Sequence, residues 1–317
     1  DVCSSDLIIL CNTGSDIISK IETESLEIEN YILSGNERNF GPHEITLYND
    51  NIITANNYNN TISIIPKLQF EEKKKSNKWN GIDKNKRKFI TKGKNLYIGA
   101  HPNDVIQYNN NAFVTCGESN SVIMYDLEEE KININIPVGR FPHNIELYEN
   151  ERSAFVSNMG DDSVSVIDIE SNKEIKRISL ENTPIKIKLS KNNHYLYVCM
   201  SYLGYDKDGY VGIISLESLE LVYKIRVGFS PVDLFEDNDY LYVSNFCGQS
   251  ISIVNLKILK EEKRVDITGM PRGIIKFNEK IFVADYLNGV VNVINLKTKQ
   301  AKAIAVGKEP NAMTLVD

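Results

Sequence analysis

The chain has 317 residues, 42% of them hydrophobic, and a formal net charge of −7. That is enough apolar material for a large core, and the overall sign disfavours non-specific binding to nucleic acid or an anionic membrane. It contains no run of about 18 apolar residues, the length a membrane-crossing helix needs.

The first six residues, Asp1–Asp6, read DVCSSD, and one back-translation matches the end of a sequencing-library adapter. They are expected to be a read artefact fused to a truncated gene, so the true start and any signal peptide are expected to be missing. Three short β-type segments follow at 7–12, 17–22 and about 27–33, separated by Asn, Gly, Asp and Ser. A first strand for this unit is absent. At the other end, Val306–Val316 reads VGKEPNAMTLV, the beginning of a unit with nothing after it. The two fragments are expected to complete each other and so remove the open sheet edges.

Between them the chain repeats. Loop prolines recur at Pro42, Pro102, Pro142, Pro184, Pro231, Pro271 and Pro310, at intervals of 39 to 47 residues apart from one 60-residue step. A unit of about 40–45 residues with four strands is the signature of a β-propeller blade. Helical repeats of similar length need a 3.6-residue apolar period, which is absent. The least interrupted copy is 141–180, where four Val-, Ile- and Phe-rich segments alternate with Asn, Asp, Gly and Ser. The fold class expected is all-β: one seven-bladed β-propeller over 1–317, each blade a four-stranded antiparallel meander. The C-terminal strand should pair with the N-terminal three-stranded blade.

The second blade starts at Pro42 and includes 52–56 and 61–65. The long step then contains a basic insertion, Glu71–Lys94, which carries +7 on a body that is −14 elsewhere. We place it between blades two and three and read it as a solvated loop. The alternative is an arm for single-stranded nucleic acid, with Trp79 and Phe89 as stacking groups. Blades three to seven follow, with second and third strands at 112–116 and 121–126, 154–158 and 163–169, 195–200 and 210–215, 240–245 and 250–255, and 280–285 and 290–295.

The tetrads Phe155-Val156-Ser157-Asn158 and Tyr242-Val243-Ser244-Asn245, each followed by an alternating run (SVSVID, SISIVN), resemble the YVTN-type β-propeller repeat. The resemblance covers essentially the whole chain except the insertion. It implies a seven-bladed propeller but not one function: such proteins include surface-layer and secreted binding proteins, a DNA-binding member and haem-holding relatives, and the related lactonase propellers are enzymes. No C-x-x-C-H motif for c-type haem attachment is present, nor G-x-G-x-x-G, a P-loop, H-E-x-x-H or G-x-S-x-G. The cofactor is therefore unassigned. Cys11, Cys116, Cys199 and Cys247 have no paired spacing and read as small buried hydrophobes, which points to a reducing, cytoplasmic compartment; secretion stays open while the true start is missing.

In this repeat the loop carrying each proline and the loop after each second strand share one end of the ring. That end gathers a polar rim of His43, Glu44, His101, Asp104, His143, Asn144, Asn158, Asn245, Arg272, Asp285 and Asn311. Asn at a strand end is first of all a turn-former. The histidines break the repeat: His43, His101 and His143 fall in the same loop of three consecutive blades. They are candidates for zinc or another transition metal, for an anion together with Arg272, or for a plain hydrogen-bonding rim, which we favour. His194, at the opposite end, reads as structural. The fifth-blade loop holds half of a calcium-loop pattern at Asp206 and Asp208, and Tyr202, Tyr205 and Tyr210 as a lid candidate. The reading that follows is a monomeric, non-catalytic propeller binding a protein or small molecule at this rim. A metal-dependent or lactonase-like hydrolase at the same rim is the alternative.

Overall fold

The computed structural model describes residues 7–33, 39–71, 88–202 and 204–316. Asp1–Asp6, Trp79 and most of the basic insertion lie outside the described residues. The chain forms seven sheets, six of them with four strands and one with five. Strands follow one another antiparallel within each sheet, as in Pro142–Tyr148, Ser153–Asn158, Ser163–Asp168 and Lys173–Ser179 of blade four.

The strand alternation explains why the sheets stand side by side. In Asn111–Cys116 of blade three, Phe113 packs with apolar residues of blade four, whereas Ala112 and Val114 pack with those of blade two. The same division recurs around the ring, so seven apolar clusters form, one in each gap between neighbouring blades. Burying one such Val, Ile or Phe contributes about 1.5–3 kcal/mol. A strand covered on both faces needs apolar residues at nearly every position, and the second strands have them.

Pro310–Val316 closes the ring by pairing antiparallel with Leu7–Asn12, with Leu7 opposite Val316 and Asn12 opposite Pro310. Blade one therefore takes its innermost strand from the C-terminus. Its Ala312 and Val316 enter the cluster shared with blade two, and Met313 and Leu315 the one shared with blade seven.

The insertion sits inside blade two, not after it. The outermost strand of that blade, Lys94–Tyr97, follows the insertion and pairs with Thr61–Pro66. Just before it, Lys88–Phe89 adds a parallel fifth strand to blade one beside Ile28–Ile32. A two-residue strand carries no alternation to read, which is why the sequence alone hides it.

Adjacent blades are also tied at the proline loops. The residue before the proline is left-handed at Gly41, His101 and Phe141. The N–H of each donates to the side chain at the hairpin tip of the preceding blade: Gly41 to Asp16 Oδ1, His101 to Asn60 Oδ1 and Phe141 to Asn120 Oδ1, all at 2.9 Å. Asp16, Asn60 and Asn120 have positive φ themselves, a conformation Asn and Asp tolerate best among residues with a side chain.

Candidate functional site

At the end of the second strand, the side-chain N–H groups of the rim asparagines are spent on the fold, while Oδ1 of Asn158 and of Asn245 is buried without a hydrogen-bond partner. Asn158 donates to Ser163 Oγ at 3.0 Å and Ser165 Oγ at 2.8 Å, and Asn245 to Ser250 and Ser252 at 3.2 and 2.9 Å. Asn56 does the same with Thr61 and Ser63. Each clamp fixes the next hairpin, and all three asparagines are fully buried. Asp285 fills this position in blade seven and accepts from the backbone N–H groups of Met270, Leu287 and Asn288. Two glycines one turn before the proline, Gly139 and Gly228, lie so close to Asn158 and Asn245 that an added Cβ would come within 2.5 and 2.6 Å.

On the innermost strands, two residues after the proline, a second set joins one blade to the next. Asp104 Oδ2 accepts from Ile145 N at 3.0 Å and also from the side-chain amide of Asn144. Asn144 Oδ1 accepts from Ile187 N at 2.8 Å, and Asp233 Oδ2 from Ile274 N at 3.0 Å. Burial pushes Asp104 up to about 7, assisted by the Glu44 charge and opposed by Lys186. Burial likewise pushes Asp233 up to about 6, against Lys186.

Blades two and five break this pattern with Glu44 and Lys186. Their side chains meet across the channel at 3.0 Å, both largely buried. Burial alone would lower the Lys186 pKa, but Glu44, Asp233 and Asp104 outweigh it and the net shift is upward.

One residue after the proline stand His43, His143 and Arg272, at the mouth above these charges. The imidazoles of His43 and His143 meet edge to face, with centroids 5.3 Å apart. His43 Nδ1 lies 3.2 Å from Asn103 O, and the His143 ring faces the equivalent carbonyl of Ile185, its Nδ1 just short of hydrogen-bond geometry. Burial and then the Arg272 charge hold both imidazoles below the usual histidine range, His143 at about 3, so both are neutral. The Arg272 guanidinium sits 5.7 Å from the Phe246 ring and 5.5 Å from the Tyr286 ring. It is partly open to solvent and has no carboxylate within ion-pair distance among the described residues.

The remaining expected site residues are placed differently. His101 precedes its proline, with φ of 56°, and its ring lies against Phe141 at 5.8 Å. Among the described residues no three His, Cys, Asp or Glu side chains gather to hold a metal ion, so the histidines present do not fit one. Asn311 is buried, 3.5 Å from Thr13 Oγ1. Asp208 begins the strand Asp208–Ser215 and binds Arg226 at 2.8 Å, which removes it from any calcium loop. Tyr202 stacks under Lys207 and against Tyr210, which in turn meets Lys224 of the outermost strand. That stack runs outward along blade five, and Tyr205 is 71% exposed. Cys11, Cys116 and Cys199 are buried and free, and burial pushes their thiols up, Cys116 to about 12.

Lys186 and Asp233 stand at the Glu44 position of other blades, where the repeat places one side chain after another into the channel; the Lys186–Glu44 pairing is what sequence reasoning missed. A surface groove of about 410 Å³ lies between blades five and six. Its arginines are already paired, Arg226 with Asp208 and Arg264 with Glu261.

No protein-family model matches the chain, and no curated protein matches it in sequence. Solved structures do. A functionally unknown protein from Desulfotomaculum acetoxidans superposes with a TM-score of 0.75 at 12% identity, over 98% of each chain. A protein from Bacteroides fragilis described as a candidate 6-phosphogluconolactonase gives 0.74 at 14%, over 100% of this chain and 99% of its own. Virginiamycin B lyase from Staphylococcus aureus gives 0.65 at 14%, over 86% and 88%. At these identities the likeness establishes the propeller fold and nothing finer.

Proposed function

We propose that the protein is a non-catalytic receptor propeller that binds its ligand at the channel mouth formed by His43, His143 and Arg272, in a ring of YVTN-like repeats. The observation carrying this reading is a division of labour among the buried polar groups. Asp104, Asn144 and Asp233 are bound to backbone of the next blade, and Glu44 and Lys186 to each other. Arg272, by contrast, has no carboxylate at ion-pair distance among the described residues. Pre-placed donors on a rigid scaffold suit recognition, because little ordering remains to oppose binding. A hydrolase would need a nucleophile or activated water beside a base, and the buried thiols with raised pKa values do not supply one.

The test is a thermal-shift screen of a metabolite panel, run beside assays for lactone and ester hydrolysis. A ligand that stabilises the wild type and not a His143→Gln variant, with no turnover, is the expected result. Lactone turnover abolished in that variant would replace the receptor by a lactonase-like enzyme at the same rim.

A further inference from the structure

We infer that the group recognised at the channel mouth is an oxyanion, a carboxylate or a phosphate, received by Arg272 beside the edge-to-face pair of Phe246 and Tyr286. This rests on the receptor reading and assigns the chemistry of its ligand.

The geometry supplies the argument. Arg272 has aromatic neighbours on blades six and seven, at 5.7 and 5.5 Å, and no ion-pair partner among the described residues. The two rings pack edge to face with centroids 5.8 Å apart, so they support the guanidinium from one side, and its N–H groups can bind a carboxylate or phosphate with two parallel hydrogen bonds from the other. A charge withdrawn from water without a partner is costly, so an anion that pairs with it is favoured.

The acidic groups nearest in the channel are engaged elsewhere. Glu44 is paired with Lys186. Glu309 lies beside the hydroxyls of Tyr58 and Tyr286, and burial followed by this carboxylate raises the pKa of both tyrosines. His143, 7% exposed, stands at the same repeat position as Arg272, with the Ile185 carbonyl as a backbone partner of its ring. A neutral imidazole offers one N–H, and here it stands close enough to Arg272 to feel its charge.

The experiment is calorimetric titration of the purified full chain with inorganic phosphate and, separately, with benzoate at pH 7. Arg272→Met and Arg272→Lys variants are titrated beside it. One-site binding is expected to weaken at least about tenfold in Arg272→Met, the loss of a charge-assisted pair. Arg272→Lys should be intermediate, since it keeps the charge and loses the fork. Stronger binding of benzoate assigns a carboxylate on a flat body; stronger binding of phosphate assigns a phosphate.

A second measurement avoids variants. Phenylglyoxal modification of Arg272 in the wild type, mapped by mass, should slow at least about tenfold when the better anion is saturating. Equal affinity in Arg272→Met and wild type, or modification unaffected by either anion, overturns the inference. If neither anion binds while a neutral compound from the screen does, the oxyanion assignment falls and the receptor reading stands. If no compound binds and lactone is turned over, the receptor reading falls as well.

Discussion

Lys186 Nζ lies 3.0 Å from Glu44 Oε2, although the two residues belong to blades five and two, on opposite sides of the ring. The pair is a crossbar through the channel, and it separates the committed charges below from the open mouth above. Asp104 and Asp233 share its surroundings, so three carboxylates and one lysine occupy the throat, and burial raises the pKa of both aspartates. Neutralising one carboxylate is therefore easier than removing the cation.

That asymmetry makes a stability prediction. Lys186→Met leaves Glu44, Asp104 and Asp233 facing one another and should cost about 3–5 kcal/mol, the range for a broken buried pair. Glu44→Gln leaves Lys186 with two aspartates still nearby and should cost clearly less. The double variant should recover most of the loss seen in Lys186→Met. Urea unfolding at neutral pH measures all three, with unchanged slopes required for the comparison. Equal losses in the two single variants would mean the aspartates do not compensate.

The clamp beneath the rim gives a second prediction. Gly139→Ala would place a Cβ 2.5 Å from Asn158, so it should destabilise by about 1–3 kcal/mol through overpacking. The Cβ of residue 158 would itself lie 2.8 Å from the added methyl, so it is an Asn158→Gly background that makes room, and there the two effects should couple by at least about 1 kcal/mol. Gly269 makes the contrast. Its φ is +88° and its Cβ would meet Asp285 at 2.1 Å. Here Gly269→Ala should remain costly even with Asp285→Ala, because the backbone itself disfavours a side chain. Rescue at Gly269 equal to that at Gly139 would contradict this distinction.

The ring and its closure were legible because each depends on a local pattern repeated seven times. The prolines mark the inner strands, and the VGKEP start at the C-terminus matches the strand missing at the N-terminus. The histidine pair was legible for the same reason, since His43 and His143 share a repeat position. His101 shares their loop but precedes its proline, and its ring packs on Phe141. The Glu44–Lys186 bond joins residues 142 apart in sequence. No local pattern records which blades face each other across a channel. Asn158 and Asn245 look alike as turn-formers or as ligands until the serines five and seven residues on are seen to receive their hydrogen bonds.

Closure itself is testable. Removing 310–317 takes away the innermost strand of blade one and uncovers Leu7–Asn12, whose every residue is buried. An open edge of this apolar character templates pairing with other chains. The truncated chain should lose its single unfolding transition and associate on warming, whereas the full chain should remain cooperative. Light scattering during a thermal melt checks it. A truncated chain that melts cooperatively as a monomer would show that six complete blades suffice.

Acid titration should reveal two opposing sets of buried groups. His143 has its pKa lowered from 6.5 to about 3, and His43 is also lowered. The fold then binds fewer protons than the unfolded chain, so the stability these groups contribute is present above about 6.5 and is lost as pH falls toward 3. Asp104 and Asp233 are raised from 3.8 to about 7 and about 6. The fold binds more protons there, so their contribution is present below about 3.8 and is lost as pH rises through 6 to 7. Between pH 4 and 6.5 the two slopes oppose each other, each lowered or raised unit being worth about 1.4 kcal/mol. The wild type should therefore show a shallow dependence in that window. Asp104→Asn should become steeper, losing stability faster on acidification, and His143→Gln should become flatter or reverse. Urea unfolding at half-unit intervals from pH 4.5 to 8 reads the slopes independently of each variant's overall loss, and identical slopes in all three proteins would mean these groups titrate as they do in water.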